Sequence, residues 1–444
     1  MIAFPKGFVW GAACSSYQTE GAWEKDGKGL SIWDDFSHIP GMITNGETGD
    51  IACDSYHRYH EDIRLLKELG IPAYRFSISW PRILPDGTGN INEKGLAYYD
   101  AMIDLLLENG IEPYVTLFHW DLPSALQNKG GWRNRKTAEA FYDYASVIAK
   151  HFDGRVRNYI TINEPQCFIE LGYSRGTHAP GLQLSEDTIS ACIHNALLAH
   201  GFAVQALRKA SNIPLNIGIA STGRLAYSDK DTPEACKAAT EASFKLTEED
   251  WYFTHHLYLD PIVLGHYPKD APAFIQRYAA TVPDADWDII KKSIDFIGLN
   301  VYHGFPFEKA GIYTGFPRTA TKWPVTPEVM RYGPRWLFER YALPICITEN
   351  GQSCNDRIFL DGCVHDPDRI DFLSRYLKEL NKAIEDGTPV SGYFHWSLTD
   401  NFEWNFGYDE RFGLVYIDYP TSNRIPKDSA YWYAKTIKAN GANL

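Results

Sequence analysis

Two glutamates stand in short motifs of similar construction. Thr161-Ile162-Asn163-Glu164-Pro165 and Ile347-Thr348-Glu349-Asn350-Gly351 each end a β-forming run with polar residues and a chain-breaking Pro or Gly. Hydrolysis of a glycosidic bond needs two such groups: one carboxylic acid to protonate the leaving oxygen, and one carboxylate to attack the anomeric carbon or position water there. Either glutamate alone reads better as a solvated loop residue or an ion-pair partner, since most acidic side chains are simply exposed. The elements around them decide between these readings.

Eight β-rich segments, each bounded by Gly, Pro or Asn, recur along the chain at 8–14, 73–79, 112–118, 158–163, 216–221, 296–302, 344–349 and 390–397. Between them lie stretches of helical periodicity such as 59–69, where Ile63, Leu65, Leu66 and Leu69 form the apolar face and Gly70 the stop. Others are 96–108, 137–151, 368–385 and 428–439. Alternating strand and helix means an α/β fold with a parallel sheet. Eight units without a linker or composition break predict a single (β/α)₈ TIM barrel, with residues 1–444 as one catalytic domain. In such a barrel the chemistry sits at the C-terminal ends of the strands. Glu164 ends the fourth segment and Glu349 the seventh, so both belong to one rim.

Composition narrows the partners. With 43 Lys+Arg against 56 Asp+Glu, the net charge of −13 offers no footprint for nucleic acid or an anionic membrane surface. Aromatic residues make up 14% of the chain, many beside Gly, Asn and Glu, which suits walls for a ring-shaped ligand. Residues 1–17 carry no uninterrupted apolar stretch ending in small residues, and nowhere do eighteen apolar residues run together. The eight cysteines form no Cys-x-x-Cys pair and read as reduced, mostly buried thiols. With Asn-x-Ser/Thr also absent, the expected location is cytoplasmic. Neither phosphate-binding glycine motif occurs, nor a Gly-x-Ser-x-Gly nucleophile elbow. His57 with His60, and the pair His255-His256, lack further ligands at metal spacing, so neither a metal nor another cofactor is expected.

The two glutamate motifs, together with the run Phe8-Val9-Trp10-Gly11-Ala12-Ala13-Cys14-Ser15-Ser16-Tyr17-Gln18-Thr19-Glu20-Gly21-Ala22, resemble glycoside hydrolase family 1, and within it the bacterial β-glucosidases. The likeness runs from Phe8 to the final helix. It implies that Glu164 is the acid/base and Glu349 the nucleophile. Two carboxyl groups about 5–5.5 Å apart cannot both ionise easily, which keeps Glu164 protonated until Glu349 is esterified. By the same resemblance Arg75, Asn300 and Tyr302 support the nucleophile, although a buried Arg is also a packing element. Gln18, His119, Asn163, Trp396, Glu403 and Trp404 match the family's contacts to the terminal sugar. Amides and carboxylates can each hold two hydroxyls, while an indole packs on the pyranose face. For His119 a satisfied core histidine is the competing reading. A cis bond between Trp396 and Ser397 is also implied.

Departures from the family leave two positions open. Gln166 follows Asn163-Glu164-Pro165 where many members carry Trp at the leaving-group site, and Gln352 stands where a smaller or apolar residue is commoner. His178 and Trp323 line the entrance by resemblance, with packing as the alternative for Trp323. The implied activity is that of a retaining exo-β-glycosidase acting on terminal β-D-glucosyl residues of cellobiose-type substrates. Alternatives are a 6-phospho-β-glucosidase, disfavoured by Glu403, a relative preferring β-galactosides or β-fucosides, and a non-catalytic sugar-binding relative, disfavoured by the presence of both carboxylates. The partner is a small-molecule glycoside, and association into a homo-oligomer stays open.

Overall fold

The computed structural model of the chain describes residues 3–247, 250–309, 315 and 317–444. Eight strands close into a parallel barrel: β1 (Val9–Ala13), β2 (Ala73–Ser77), β3 (Glu112–Phe118), β4 (Asn158–Asn163), β5 (Asn216–Ser221), β6 (Phe296–Asn300), β7 (Ile345–Asn350) and β8 (Val390–Trp396). Closure is made by β8 against β1, with Val9 opposite Gly392 and Ala13 opposite Trp396. Each expected segment carries one strand. The second stops at Ser77 because the chain turns at Ser79 into a short helix, Trp80–Ile83, with Pro81 in its first turn. The sixth stops at Asn300, where the register against β7 shifts.

Inside the barrel, small and aromatic residues interleave. Ala13, Ala73 and Ala220 pack with Tyr114, Phe296 and Phe394, and the Tyr114 and Phe394 rings lie 4.7 Å apart. A Cβ on Gly11 would stand 2.4 Å from the Phe394 ring, and one on Gly218 would stand 2.6 Å from the Phe296 ring, so only glycine fits. The filled interior makes the barrel a solid platform that raises the strand ends into one rim.

The outer layer follows the periodicity. Helix α1 (Ser55–Glu68) buries Ile63, Leu65 and Leu66 against the barrel, each such side chain contributing about 1.5–3 kcal/mol. It begins four residues earlier than the apolar pattern suggests, directly after Asp54 in left-handed backbone. Helices α2 (Glu93–Glu108) and α3 (Arg135–His151) follow, the latter capped by the Asn134 side chain accepting from Lys136 N. Helix α4 (Glu186–Ala210) buries 16 of its 25 residues and so lacks the polar face that marks a surface helix in sequence. After α5 (Val329–Tyr341) and α6 (Pro367–Glu385), α7 (Asp428–Lys438) returns to β1, where Tyr433 OH donates to Gly11 O at 2.9 Å. Phe4 N and Trp10 Nε1 both bond Asn440, joining the two ends of the chain.

Candidate active site

Arg75, near the end of β2, is the hub of the rim. Its fully buried guanidinium donates from Nη1 to Glu349 Oε1 at 2.6 Å and to Thr348 O at 3.0 Å. Nη2 donates to Asn163 Oδ1 at 2.6 Å and Nε to Thr116 Oγ1 at 3.1 Å. One side chain thereby ties together the ends of β2, β3, β4 and β7. Tyr302 OH donates to the other Glu349 oxygen at 2.7 Å. Asn300 Nδ2 donates to Glu164 Oε1 at 2.7 Å and to Asn163 Oδ1 at 3.0 Å, and its own carbonyl is fixed by Thr348 Oγ1 at 2.6 Å. Glu164 sits in left-handed backbone (φ 46°), as do Trp120 (φ 80°) and Trp404 (φ 52°). Such conformations are uncommon for large side chains, and they cluster at functional sites.

The two carboxyl groups share an environment but not its consequences. Burial and then the Glu349 charge push Glu164 up to about 8, with only Asn300 and the Cys167 thiol among nearby hydrogen-bonding groups pulling it down. Burial also raises Glu349, but Arg75 and Tyr302 oppose that and favour its ionised form. The arrangement therefore holds one proton on Glu164 and the charge on Glu349. A protonated acid facing a paired carboxylate can donate to one atom of a ligand and attack its neighbour.

Beside them lies a face suited to a polyhydroxylated ring. His119 Nε2 accepts from Asn163 Nδ2 at 3.1 Å, and burial followed by the Arg75 charge holds the imidazole well below its usual range, hence neutral. Its ring is roughly parallel to those of Trp396 and Trp404, at 5.7 and 5.9 Å. The Trp396-Ser397 bond is cis. Gln18 Nε2 donates to Phe402 O at 2.9 Å and approaches Glu403 Oε2 at 3.4 Å. Burial, then Glu349, push Glu403 up to about 8. The loop carrying Glu403 and Trp404 is pinned from behind by Asp400, which accepts from Arg411 Nη1 (2.7 Å), Lys427 Nζ (2.6 Å) and Gly413 N (3.0 Å). A cavity of about 400 Å³ is lined by Glu164, Glu349, Trp396, Glu403, Trp404 and Trp323 among others, a size typical of small-molecule sites.

Comparison with known proteins gives the same answer along the whole chain. The profile of glycosyl hydrolase family 1 matches residues 1–442. The chain belongs to that family. Beta-glucosidase A of Thermotoga maritima is 44% identical over 447 residues, covering 99% of this chain and 98% of that protein. The 1,4-beta-D-glucan glucohydrolase of Thermotoga neapolitana is 43% identical over 452 residues, covering 99% of each. A bifunctional beta-D-glucosidase/beta-D-fucosidase of Bifidobacterium breve is 39% identical over 473 residues, again covering 99% of each. The solved structure of beta-glucosidase from Thermotoga maritima in complex with glucoimidazole superposes with a TM-score of 0.91 at 44% identity, covering 99% of this chain and all of that one.

In this family 1 enzyme, the residues singled out from sequence fall into two groups. Glu164, Glu349, Arg75, Asn163, Asn300, Tyr302, Gln18, His119, Trp396, Glu403 and Trp404 form one continuous site. His178 and Trp323 line its cavity, and burial lowers His178 to about 4, leaving it neutral. Gln166 does not line it. Its amide is fully buried and turned into the wall, donating to Ser221 Oγ at 2.8 Å and Thr254 O at 3.4 Å, while Cys167 takes the place on the cavity side. Gln352 is likewise buried outside this cavity, donating to Cys354 Sγ. His255 Nδ1 bonds Ser221 and His57 Nδ1 bonds Asp54. Sequence reasoning missed Trp120, whose indole donates to Asn163 O at 3.0 Å and stacks 4.4 Å from Trp404. Its place next to His119 at a strand end was a usable signal. Thr222, Phe253 and Phe412 also line the cavity but lie in loops that carry none.

Proposed function

We propose that this enzyme is a retaining exo-β-glycosidase that removes terminal non-reducing β-D-glucosyl residues, with residues 1–444 acting as one catalytic domain. The observation that carries it is the asymmetry of the carboxyl pair, Glu349 held by Arg75 and Tyr302 while Glu164 is raised to about 8. Glu349 attacks the anomeric carbon as Glu164 passes its proton to the departing oxygen. A glycosyl ester forms and the aglycone alcohol leaves. Loss of the Glu349 charge lets Glu164 fall in pKa, so that it takes a proton from water, and the resulting hydroxide equivalent cleaves the ester with overall retention. Gln18, His119, Asn163, Glu403 and the Trp396 and Trp404 indoles hold the glucosyl ring. His178 and Trp323 flank the leaving group.

Cellobiose-type glucosides are the substrate class supported by the names of the relatives, and the bifunctional relative favours β-fucoside turnover as a second activity. Free thiols at all eight cysteines, six of them buried, fit a reducing cytoplasm. Proton NMR of the first sugar released from a β-glucoside tests the assignment. Initial β-glucose is expected, and initial α-glucose would overturn double displacement.

A further inference from the structure

Asp121 follows His119 and Trp120 beyond the end of β3, but it does not line the cavity. Behind the left-handed turn at Trp120 its side chain is buried, only 1% exposed. Its Oδ2 accepts from Ser16 Oγ at 3.0 Å. Ser16 is held in turn from the end of β2, where Ser77 Oγ accepts from Ser16 N at 2.7 Å and donates to Ser16 Oγ at 2.9 Å. The hydroxyl protons therefore run from Ser77 to Ser16 to Asp121, and only an acceptor suits the last place.

Ser16 opens the short helix Ser16–Thr19, which carries Gln18. Ser15, in front of it, does not cap that helix, because its hydroxyl donates to Gln18 Oε1 at 2.6 Å. The first turn is instead fixed from outside, through Ser16, by β2 and by Asp121. Gln18 Nε2 then reaches the loop after β8, donating to Asn401 Oδ1 at 3.1 Å and to Phe402 O. One hydrogen-bonded path thus joins the turn that carries His119 to the loop that carries Glu403 and Trp404. The back of the segment is anchored separately: Glu20 accepts from Arg82 Nε and Tyr99 OH, and Tyr17 OH donates to Trp33 O. Those bonds keep the segment folded, and the end beside Gln18 depends on Ser16.

We infer that Asp121 is a positioning residue of the sugar site, acting through Ser16 to set where the Gln18 amide meets a sugar hydroxyl. This deepens the β-glucosidase reading and rests on it. A misplacement of about 1 Å caused by a substitution away from the chemistry can cost about a hundredfold in rate. Burial pushes the Asp121 carboxyl up to about 7. Asparagine, neutral and with an acceptor oxygen in the same place, is therefore its nearest replacement.

The test is the kinetics of Asp121→Ala, Asp121→Asn, Ser16→Ala and Gln18→Ala on 4-nitrophenyl β-glucoside, with each preparation standardised by active-site titration with a 2-deoxy-2-fluoro glucoside. Asp121→Ala and Ser16→Ala should each raise KM at least fivefold and lower kcat/KM at least tenfold, while Asp121→Asn should stay within about threefold of the native enzyme. Added to Gln18→Ala, either alanine substitution should cost less than a further twofold, because the group it positions is already gone. A merely structural role would lower the titrated fraction and leave KM at its native value. A KM unmoved in Asp121→Ala and Ser16→Ala, or losses that multiply in full in the Gln18→Ala background, overturns the proposal. If Asp121→Ala yields no folded protein, Ser16→Ala and its combination with Gln18→Ala decide by the same criteria. A native enzyme that leaves the glucoside intact would instead overturn the β-glucosidase assignment on which the proposal rests.

Discussion

Arg75 Nη1 stands 2.6 Å from Glu349 Oε1, with the arginine side chain fully buried and the glutamate 4% exposed. A charge pair so withdrawn from water survives only because each remaining polar atom is also met: the guanidinium by Thr116, Asn163 and Thr348, the second carboxylate oxygen by Tyr302. The pair fixes which of the two acids carries the negative charge, and the remaining chemistry follows from that.

Removing Arg75 should therefore change chemistry before it changes shape. In Arg75→Met the buried Glu349 loses its main stabilising charge and its pKa rises further. The acid limb of kcat/KM, set by the need for an ionised nucleophile, should move to higher pH and turnover at neutral pH should collapse. Leaving a buried charge unpaired costs about 3–5 kcal/mol, so the melting temperature should fall as well. A pH–rate profile with an unshifted acid limb would contradict the role.

Glu164→Ala should separate the two steps. On substrates with poor leaving groups the loss should be about 10²–10⁴-fold, the range for a missing general acid. On a dinitrophenyl glucoside, which leaves unprotonated, glycosylation should be nearly spared and turnover partly restored by azide. Glu349→Ala should abolish turnover of both. Burst kinetics on the activated substrate check this.

If Glu164 is the proton donor, the basic limb of kcat/KM should follow its carboxyl, which burial and the Glu349 charge push up to about 8. The Asn300 amide lowers it by donating to the ionised form. Asn300→Ala should move the basic limb of kcat/KM upward, and a downward shift would contradict the direction of that hydrogen bond.

Glu403 makes a stability prediction. Its folded pKa, about 8, lies above the unfolded value of 4.5. The folded state thus holds a proton that the unfolded chain releases, and the ligand-free enzyme loses stability as pH rises from about 4.5 to 8, by up to about 1.4 kcal/mol per pH unit. Glu403→Gln should remove part of that slope, as urea titrations at pH 5 and pH 8 would show. The same protonation bears on phosphorylated sugars. A neutral Glu403 does not repel a phosphate by charge. No Lys or Arg lines the cavity among the described residues, so a dianion there would be desolvated without a partner. A 6-phosphoglucoside should be turned over about a hundredfold or more slowly than its parent.

Much of this was legible because the fold repeats. Eight β-forming runs alternating with helical periodicity pointed to the barrel, and two of them lead into Glu164 and Glu349, whereas Arg75, His119, Asn163 and Asn300 were reached through the resemblance to glycoside hydrolase family 1. The failures have physical causes. Helix α4 is buried nearly all round and has no amphipathic stripe, while Pro334 interrupts the pattern of α5. Gln166 stands two residues after Glu164 in sequence, but the short helix that starts after Glu164 directs its amide into the β5 wall. Thr222, Phe253 and Phe412 reach the cavity from loops whose paths no periodicity records.

In the proposed mechanism Glu349 attacks and Glu164 serves as acid and base. Trapping the enzyme with 2,4-dinitrophenyl 2-deoxy-2-fluoro-β-D-glucoside, followed by peptide mapping by mass spectrometry, measures this directly. One fluoroglucosyl ester is expected, on the peptide containing Ile347-Thr348-Glu349-Asn350. A label on Glu164, or an enzyme that turns over β-glucosides yet forms no ester, would contradict it.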